Sequence, residues 1–125
     1  MGRRLSWFLP PLTTIWGNHT LYPWVQYDEH GWEHKFLYVV GPAYTEKVTL
    51  HGANLRDGAS LWLSADNVPT TTTSLVLDPQ DPTVVNRPGD WVEFPGGLDI
   101  PKAGCYYLQA DWAGGSWRIT FAVGV

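Results

Sequence analysis

The stretch His30-Gly31-Trp32-Glu33-His34 matches the His-x-x-Glu-His spacing found in one class of zinc peptidase. That chemistry needs both imidazoles one turn apart on a helix, so that both reach one metal while the glutamate activates a bound water. Here Gly31 and the alternating residues after it predict a turn that runs into a strand, which is the wrong geometry for the pair. The expectation is a solvent-facing turn histidine at position 30. A non-catalytic metal site using His30, His34 and a third ligand such as His19 or His51 stays open. Cys105, the single cysteine, would need a neighbouring base and an electropositive setting to act as a nucleophile. Its surroundings offer Lys102 but no histidine, and a small apolar filler on a strand is the expected role. Ser64 and Asp66 lie close together, yet nothing singles out a histidine to join them. The glycine pairs in "PGGLD" and "AGGSW" lack the lysine and the strand-to-helix context of a phosphate loop. The expectation is a chain with no catalytic residues, no resident metal and no cofactor.

Aromatic residues carry the stronger signal. Eight Trp, six Tyr and four Phe make up 14% of the chain, more than a core of this size absorbs, because indole is bulky and its N–H needs a partner when buried. Some of Trp7, Trp16, Trp24, Trp32, Trp62 and Trp91 are expected at the surface. Exposed indole beside Asp, Asn or Gln can stack on a sugar ring while the polar groups bond its hydroxyls. "SLWLSADN" sets Trp62 near Asp66 and Asn67, and "RPGDWVEF" sets Trp91 beside Asp90, making these five residues the candidate polysaccharide-binding set. The competing use is contact with another protein, since Trp and Tyr also dominate protein interfaces.

Composition narrows the partners further. Twelve acids against eight bases give a net charge of −4 with no basic stripe, which argues against nucleic acid. A single cysteine excludes an internal disulfide and a cysteine-rich zinc site. "MGRRLSWFLPPL" starts like a signal peptide, but Pro10 and Pro11 interrupt its apolar run, and no run approaches the length of a membrane span. The same residues fit the loose Met-Gly-x-x-x-Ser pattern for lipidation at Gly2. The expected location is extracellular or the cell envelope if an export signal has been removed, and the cytoplasm otherwise.

These side chains must be positioned by strands, since no segment has helical periodicity and Gly 13 with Pro 10 favours tight turns. In "WEHKFLYVV" Trp32, His34, Phe36, Tyr38 and Val40 fall on one face, and a hairpin joins this run to "LYPWVQ" through "YDEHG". "EKVTLHGANL" is a strand with Val48 and Leu50 on one side, "RDG" a turn, and "ASLWLSAD" the next strand. The middle of the chain carries five prolines between Val68 and Gly97, which place "SLVL" and "TVV" at sheet edges or in loops. "DWVEF" and "GLDI" read as two short strands.

The last third is the clearest. "GCYYLQADW" and "SWRITFAV" form a hairpin across "AGG". Tyr106, Leu108, Ala110 and Trp112 share a face away from Cys105, Tyr107 and Gln109, while Trp117, Ile119, Phe121 and Val123 oppose Arg118 and Thr120. Gly-x-Tyr at the start of a late strand fits a tyrosine corner, in which Tyr106 bonds an upstream backbone group. Several short strands with no helices between them predict an all-β, single-domain, immunoglobulin-like antiparallel β-sandwich over residues 12–125, after a tail at 1–11.

"LTTIWGN", "KVTLHGANL" and the ending Pro-x-x-Gly-Cys-aromatic followed by "ITFAV" resemble a broad group of uncharacterised bacterial proteins, exported or lipid-anchored, with an immunoglobulin-type sandwich. That group mostly has Cys-Trp where this chain has Cys105-Tyr106, and it normally carries an export signal. The resemblance implies the fold and an envelope or extracellular setting, and brings no catalytic residues. The function expected is a non-catalytic interaction or structural module for protein contacts or self-association, with carbohydrate binding as the alternative.

Overall fold

The computed structural model describes residues 26–42, 44–84 and 91–123. The expected tail at 1–11 and the domain start at residue 12 lie outside them, as do His19, Asp90, Trp7, Trp16 and Trp24. The described residues form eight strands and no helix: β1 Gln26–Asp28, β2 Gly31–Val40, β3 Val48–Asn54, β4 Trp62–Ala65, β5 Leu75–Leu77, β6 Val92–Ile100, β7 Gly104–Trp112 and β8 Gly115–Val123. They build two antiparallel four-stranded sheets, ordered β1-β2-β6-β4 and β5-β3-β7-β8, as expected of a β-sandwich.

Alternation decides which residues fill the interior. Phe36, Tyr38 and Val40 of β2, Val48 and Leu50 of β3, and Leu63 and Ala65 of β4 are buried. Tyr106, Leu108 and Ala110 of β7 join Ile119, Phe121 and Val123 of β8 from the other sheet. The largest fully buried side chains are Tyr106 and Phe94, with Leu61, Leu63, Leu75, Leu77, Leu98, Ile100, Leu108 and Val123. Each such burial contributes about 1.5–3 kcal/mol, so this shared interior, and not surface ion pairing, holds the two sheets together.

Two polar anchors sit in or beside this core. The Tyr38 hydroxyl donates to the Gly97 carbonyl at 2.6 Å, and burial, then the charge of Asp99, push its pKa far up. It remains a phenol at any ordinary pH. The Tyr106 hydroxyl donates to the Lys102 carbonyl at 2.7 Å, four residues upstream, which is the expected tyrosine corner. Its ring stacks against Phe121 with centroids 5.9 Å apart. Below that corner Asn54, also buried, accepts from the Arg56 and Asp57 amides through Oδ1 and shapes the "RDG" turn. Lys102 pairs with Asp57 and ties the β6–β7 turn to the β3–β4 turn.

One expectation needs correction. "DWVEF" and "GLDI" are not two strands but parts of one, β6, which runs straight through Pro95-Gly96-Gly97 and pairs with β2 from Val92 to Ile100. The Pro95 carbonyl accepts from the Asp66 amide just past the end of β4, and a residue's N–H faces the same neighbour as its C=O. The missing N–H of proline therefore points towards Asp66, past the end of β4, and the pairing with β2 on the other side continues in register across Pro95. Gly96 follows because β4 lies close against it: a Cβ there would overlap the Ser64 carbonyl and sit 2.8 Å from the Ala65 Cα. Of the proline-flanked pieces, "SLVL" supplies the edge strand β5, whereas Thr83 of "TVV" lies in a turn, its amide bonded to Asp81 at 2.9 Å.

Candidate interaction surface

The sandwich separates the tryptophans singled out from the sequence. Trp62 opens β4 on the outward face of the first sheet, opposite Asp99, and its ring stacks on His30 with centroids 3.7 Å apart and 13° between planes. Asp66 and Asn67 lie beyond the far end of that strand, about 13 Å along at the usual rise per residue. Asp66 is exposed and its amide is bonded to Pro95. The Asn67 amide donates to Asp81 Oδ2 at 3.0 Å, and this bond, followed by those from Thr83, holds the Asp81 carboxyl below its ordinary pKa. Trp91 is 49% exposed and adjoins Gly41 just before β6 begins. From the Trp62 position opposite Asp99 to Trp91 is about 25 Å along β6, so the two indoles cannot hold one sugar ring between them. None of the five described tryptophans is fully buried: Trp32, Trp62, Trp112 and Trp117 are half-buried beside the exposed Trp91.

The histidines are likewise dispersed. His30 occupies the β1–β2 turn of the first sheet, while His51 lies on β3 of the second. His34 stands on β2 opposite Leu98, so the His-x-x-Glu-His stretch runs from a turn into a strand and is not helix, as its glycine and alternation predict. Among the described residues no group of three or more His, Cys, Asp and Glu side chains is placed to hold a metal ion. No helix there is long and apolar enough to cross a membrane.

A polar network that sequence reasoning missed covers the outward face of the second sheet. His51 donates from Nε2 to Asp111 Oδ2 at 3.0 Å, and Gln109 donates to Asp111 Oδ1 at 2.8 Å. Arg118 in turn donates from Nε to Gln109 at 2.8 Å and lays its guanidinium 4.0 Å from the Tyr107 ring centroid. The network stitches β3, β7 and β8 together across that face. The bond from Gln109, then that from His51, lowers the Asp111 pKa. A lowered value means that the contribution to stability is present above the ordinary 3.8 and is lost as pH falls through the group's own, lower value. A carboxyl chemical-shift titration should place the Asp111 midpoint below 3.8, and Gln109→Leu should raise it. An unmoved midpoint in that variant would remove Gln109 from the account.

Cys105 belongs to this same outward face and is exposed, opposite Ala122. Cys105→Ser should therefore change stability by no more than about 0.5 kcal/mol in urea unfolding. A larger loss would mean that the thiol is packed against something.

The sheet edges differ sharply from one another. β1 and β5 have three residues each, and β4 has four, with Thr72 bonded to Leu63 on its open side. β8 has nine, all in continuous register with β7, and contains neither a proline nor a bulge. Short strands, prolines, bulges and charges are the usual ways of blunting a sheet edge. β8 has one charge, Arg118, and among the described residues no strand pairs with its outer side.

Which backbone groups it offers follows from register. Trp112 and Gly115 close a two-residue turn and must be a hydrogen-bonded pair, and such pairs alternate along an antiparallel ladder. Trp117, Ile119, Phe121 and Val123 therefore bond to β7. The N–H and C=O groups of Ser116, Arg118, Thr120 and Ala122 face away from it. No protein-family model, no curated protein and no solved structure matches this chain.

Proposed function

We propose that this chain is a non-catalytic interaction module, immunoglobulin-like in topology, that associates with protein through the open edge of β8 in a bacterial envelope or extracellular setting. The observation that carries the reading is the nine-residue regular strand at one sheet edge, paired on one side only among the described residues. Such an edge is a template for strand addition, in which backbone bonds supply affinity and outward side chains supply selectivity. The immunoglobulin-like assignment draws support from strand order. The β1-β2-β6-β4 sheet matches the A-B-E-D sheet of a constant-type domain, and β3-β7-β8 matches C-F-G, with β5 as an added edge strand. The tyrosine corner at Tyr106 falls at the start of the F-like strand, where that fold has it.

Carbohydrate binding remains the second reading because Trp91 is half exposed, although Trp91 and Trp62 stand too far apart to share one sugar ring. Two measurements on dilute protein decide between them. Amide hydrogen exchange at Ser116, Arg118, Thr120 and Ala122 should be fast, as for an uncovered edge; protection there in the monomer would sink the interaction reading. Tryptophan fluorescence titrated with a panel of soluble polysaccharides should stay flat. A saturable shift abolished by Trp91→Ala or Trp62→Ala would replace the proposal with a carbohydrate-binding module.

A further inference from the structure

Taking the β8 edge as the contact surface, we infer that its partner is a second copy of this chain, joined by antiparallel β8–β8 pairing about a two-fold axis through Ile119. The inference rests on that interaction reading and adds the partner and the register. In an isologous contact each residue pairs with one whose number complements its own about the axis. Only outward-facing residues can exchange ladder bonds, so the candidate registers centre on Arg118, Ile119 or Thr120.

Centring on Arg118 sets two guanidinium groups directly opposite each other, and like charges in that position repel. Centring on Thr120 pairs only three of the four outward residues of β8 with those of the second copy, Arg118 with Ala122 and Thr120 with itself. Centring on Ile119 pairs Ser116 with Ala122 of the second copy and Arg118 with its Thr120, and does the same in reverse. All four outward residues of each strand are then satisfied, with no like-charge pair. On the inward face this register sets Trp117 opposite Phe121 of the other copy, an aromatic pair of the kind that stabilises adjacent strands. Trp117 is half-buried within one chain, so it retains apolar surface for that contact.

Each β8 runs nine residues without a bulge or proline, so the two would form one continuous eight-stranded sheet. The contact is strand against strand and far smaller than a standard protein interface, so the association is weak and concentration-dependent.

Light scattering up to about 1 mM, the weak end of specific affinity, should show mass rising from monomer to dimer. The rise should come with slowed exchange at the Ser116, Arg118, Thr120 and Ala122 amides. Thr120→Pro removes one outward N–H without touching a bond to β7, and should leave the near-ultraviolet circular dichroism intact while abolishing the dimer.

Register is read in a Cys105→Ser background. Mixing Ser116→Cys with Ala122→Cys should give an interchain disulfide, because hydrogen-bonded antiparallel partners are about 5.5 Å apart at Cα and within bridging distance. Ser116→Cys alone should give none. Fast edge exchange with a monomeric mass throughout would overturn the second-copy inference and leave the interaction reading standing with a different partner. Protected edge amides in the monomer would remove both. A dimer that survives Thr120→Pro, or that crosslinks through Ser116→Cys alone, would refute the Ile119-centred pairing.

Discussion

Replacing Gly96 with alanine is expected to separate β4 from β6 and cost about 3 kcal/mol or more, a large share of the 5–15 kcal/mol that holds a domain of this kind together. The added Cβ overlaps the backbone carbonyl of Ser64 and comes within 2.8 Å of the Ala65 Cα. Neither neighbour can swing aside as a flexible side chain would. Relief requires β4 to move, and with it Leu63 and Ala65 leave the core and the Leu63–Thr72 bridge breaks. Gly58→Ala is the control. Gly58 has φ 76 and nothing within 4 Å of a built Cβ, so only the left-handed backbone penalty of about 1–2 kcal/mol applies. Urea midpoints for the two variants should differ clearly, and equal midpoints would mean that β4 does not lie against β6 as described.

Tyr106 is the second position where a large effect is expected. Tyr106→Ala removes a fully buried ring stacked on Phe121 and leaves a cavity between the sheets, for about 3–5 kcal/mol. Tyr106→Phe keeps the ring and removes only the bond to the Lys102 carbonyl, for about 1–2 kcal/mol. The gap between the two variants measures packing against the hydrogen bond. If Phe proved as costly as Ala, the corner bond and not the core would be holding the β6–β7 turn.

Much of this architecture is legible in the sequence wherever a strand has one wet and one dry face. The alternation in β2, β7 and β8 groups Phe36 with Tyr38, Leu108 with Tyr106, and Ile119 with Phe121 on single faces that prove to be buried, because a single shift of register would expose them all. β6 is less legible for the opposite reason. Proline and two glycines in a row signal a turn, and their strand geometry depends on where β4 ends and how closely it approaches, which is information held in another part of the chain.

The outward surfaces show the same limit. Gln109 and Arg118 face each other across a hairpin whose turn is visible in "AGG", so their contact follows from local register. His51 meets Asp111 from 60 residues away, and nothing near either residue announces the other. Trp62, Asp66 and Asn67 illustrate the converse: closeness along a strand is distance in space, since each step advances about 3.3 Å. Trp62 is instead stacked against His30, a neighbour contributed by the β1–β2 turn.

The order of strands within the sheets also sets how quickly the chain can find its structure. Both central pairings are remote: Tyr38 reaches Gly97 across 59 residues, and His51 reaches Asp111 across 60. Among the described residues, β1–β2 and β7–β8 are the strand pairings closed by tight local turns. Each remote pairing closes a long loop before any buried contact repays the lost freedom, so refolding should take milliseconds to seconds, as for other sandwiches of non-local contacts. The β7–β8 hairpin can form in about 1–10 microseconds. The paired shape of β8 is therefore sampled many times over while the core that will support it is still being assembled.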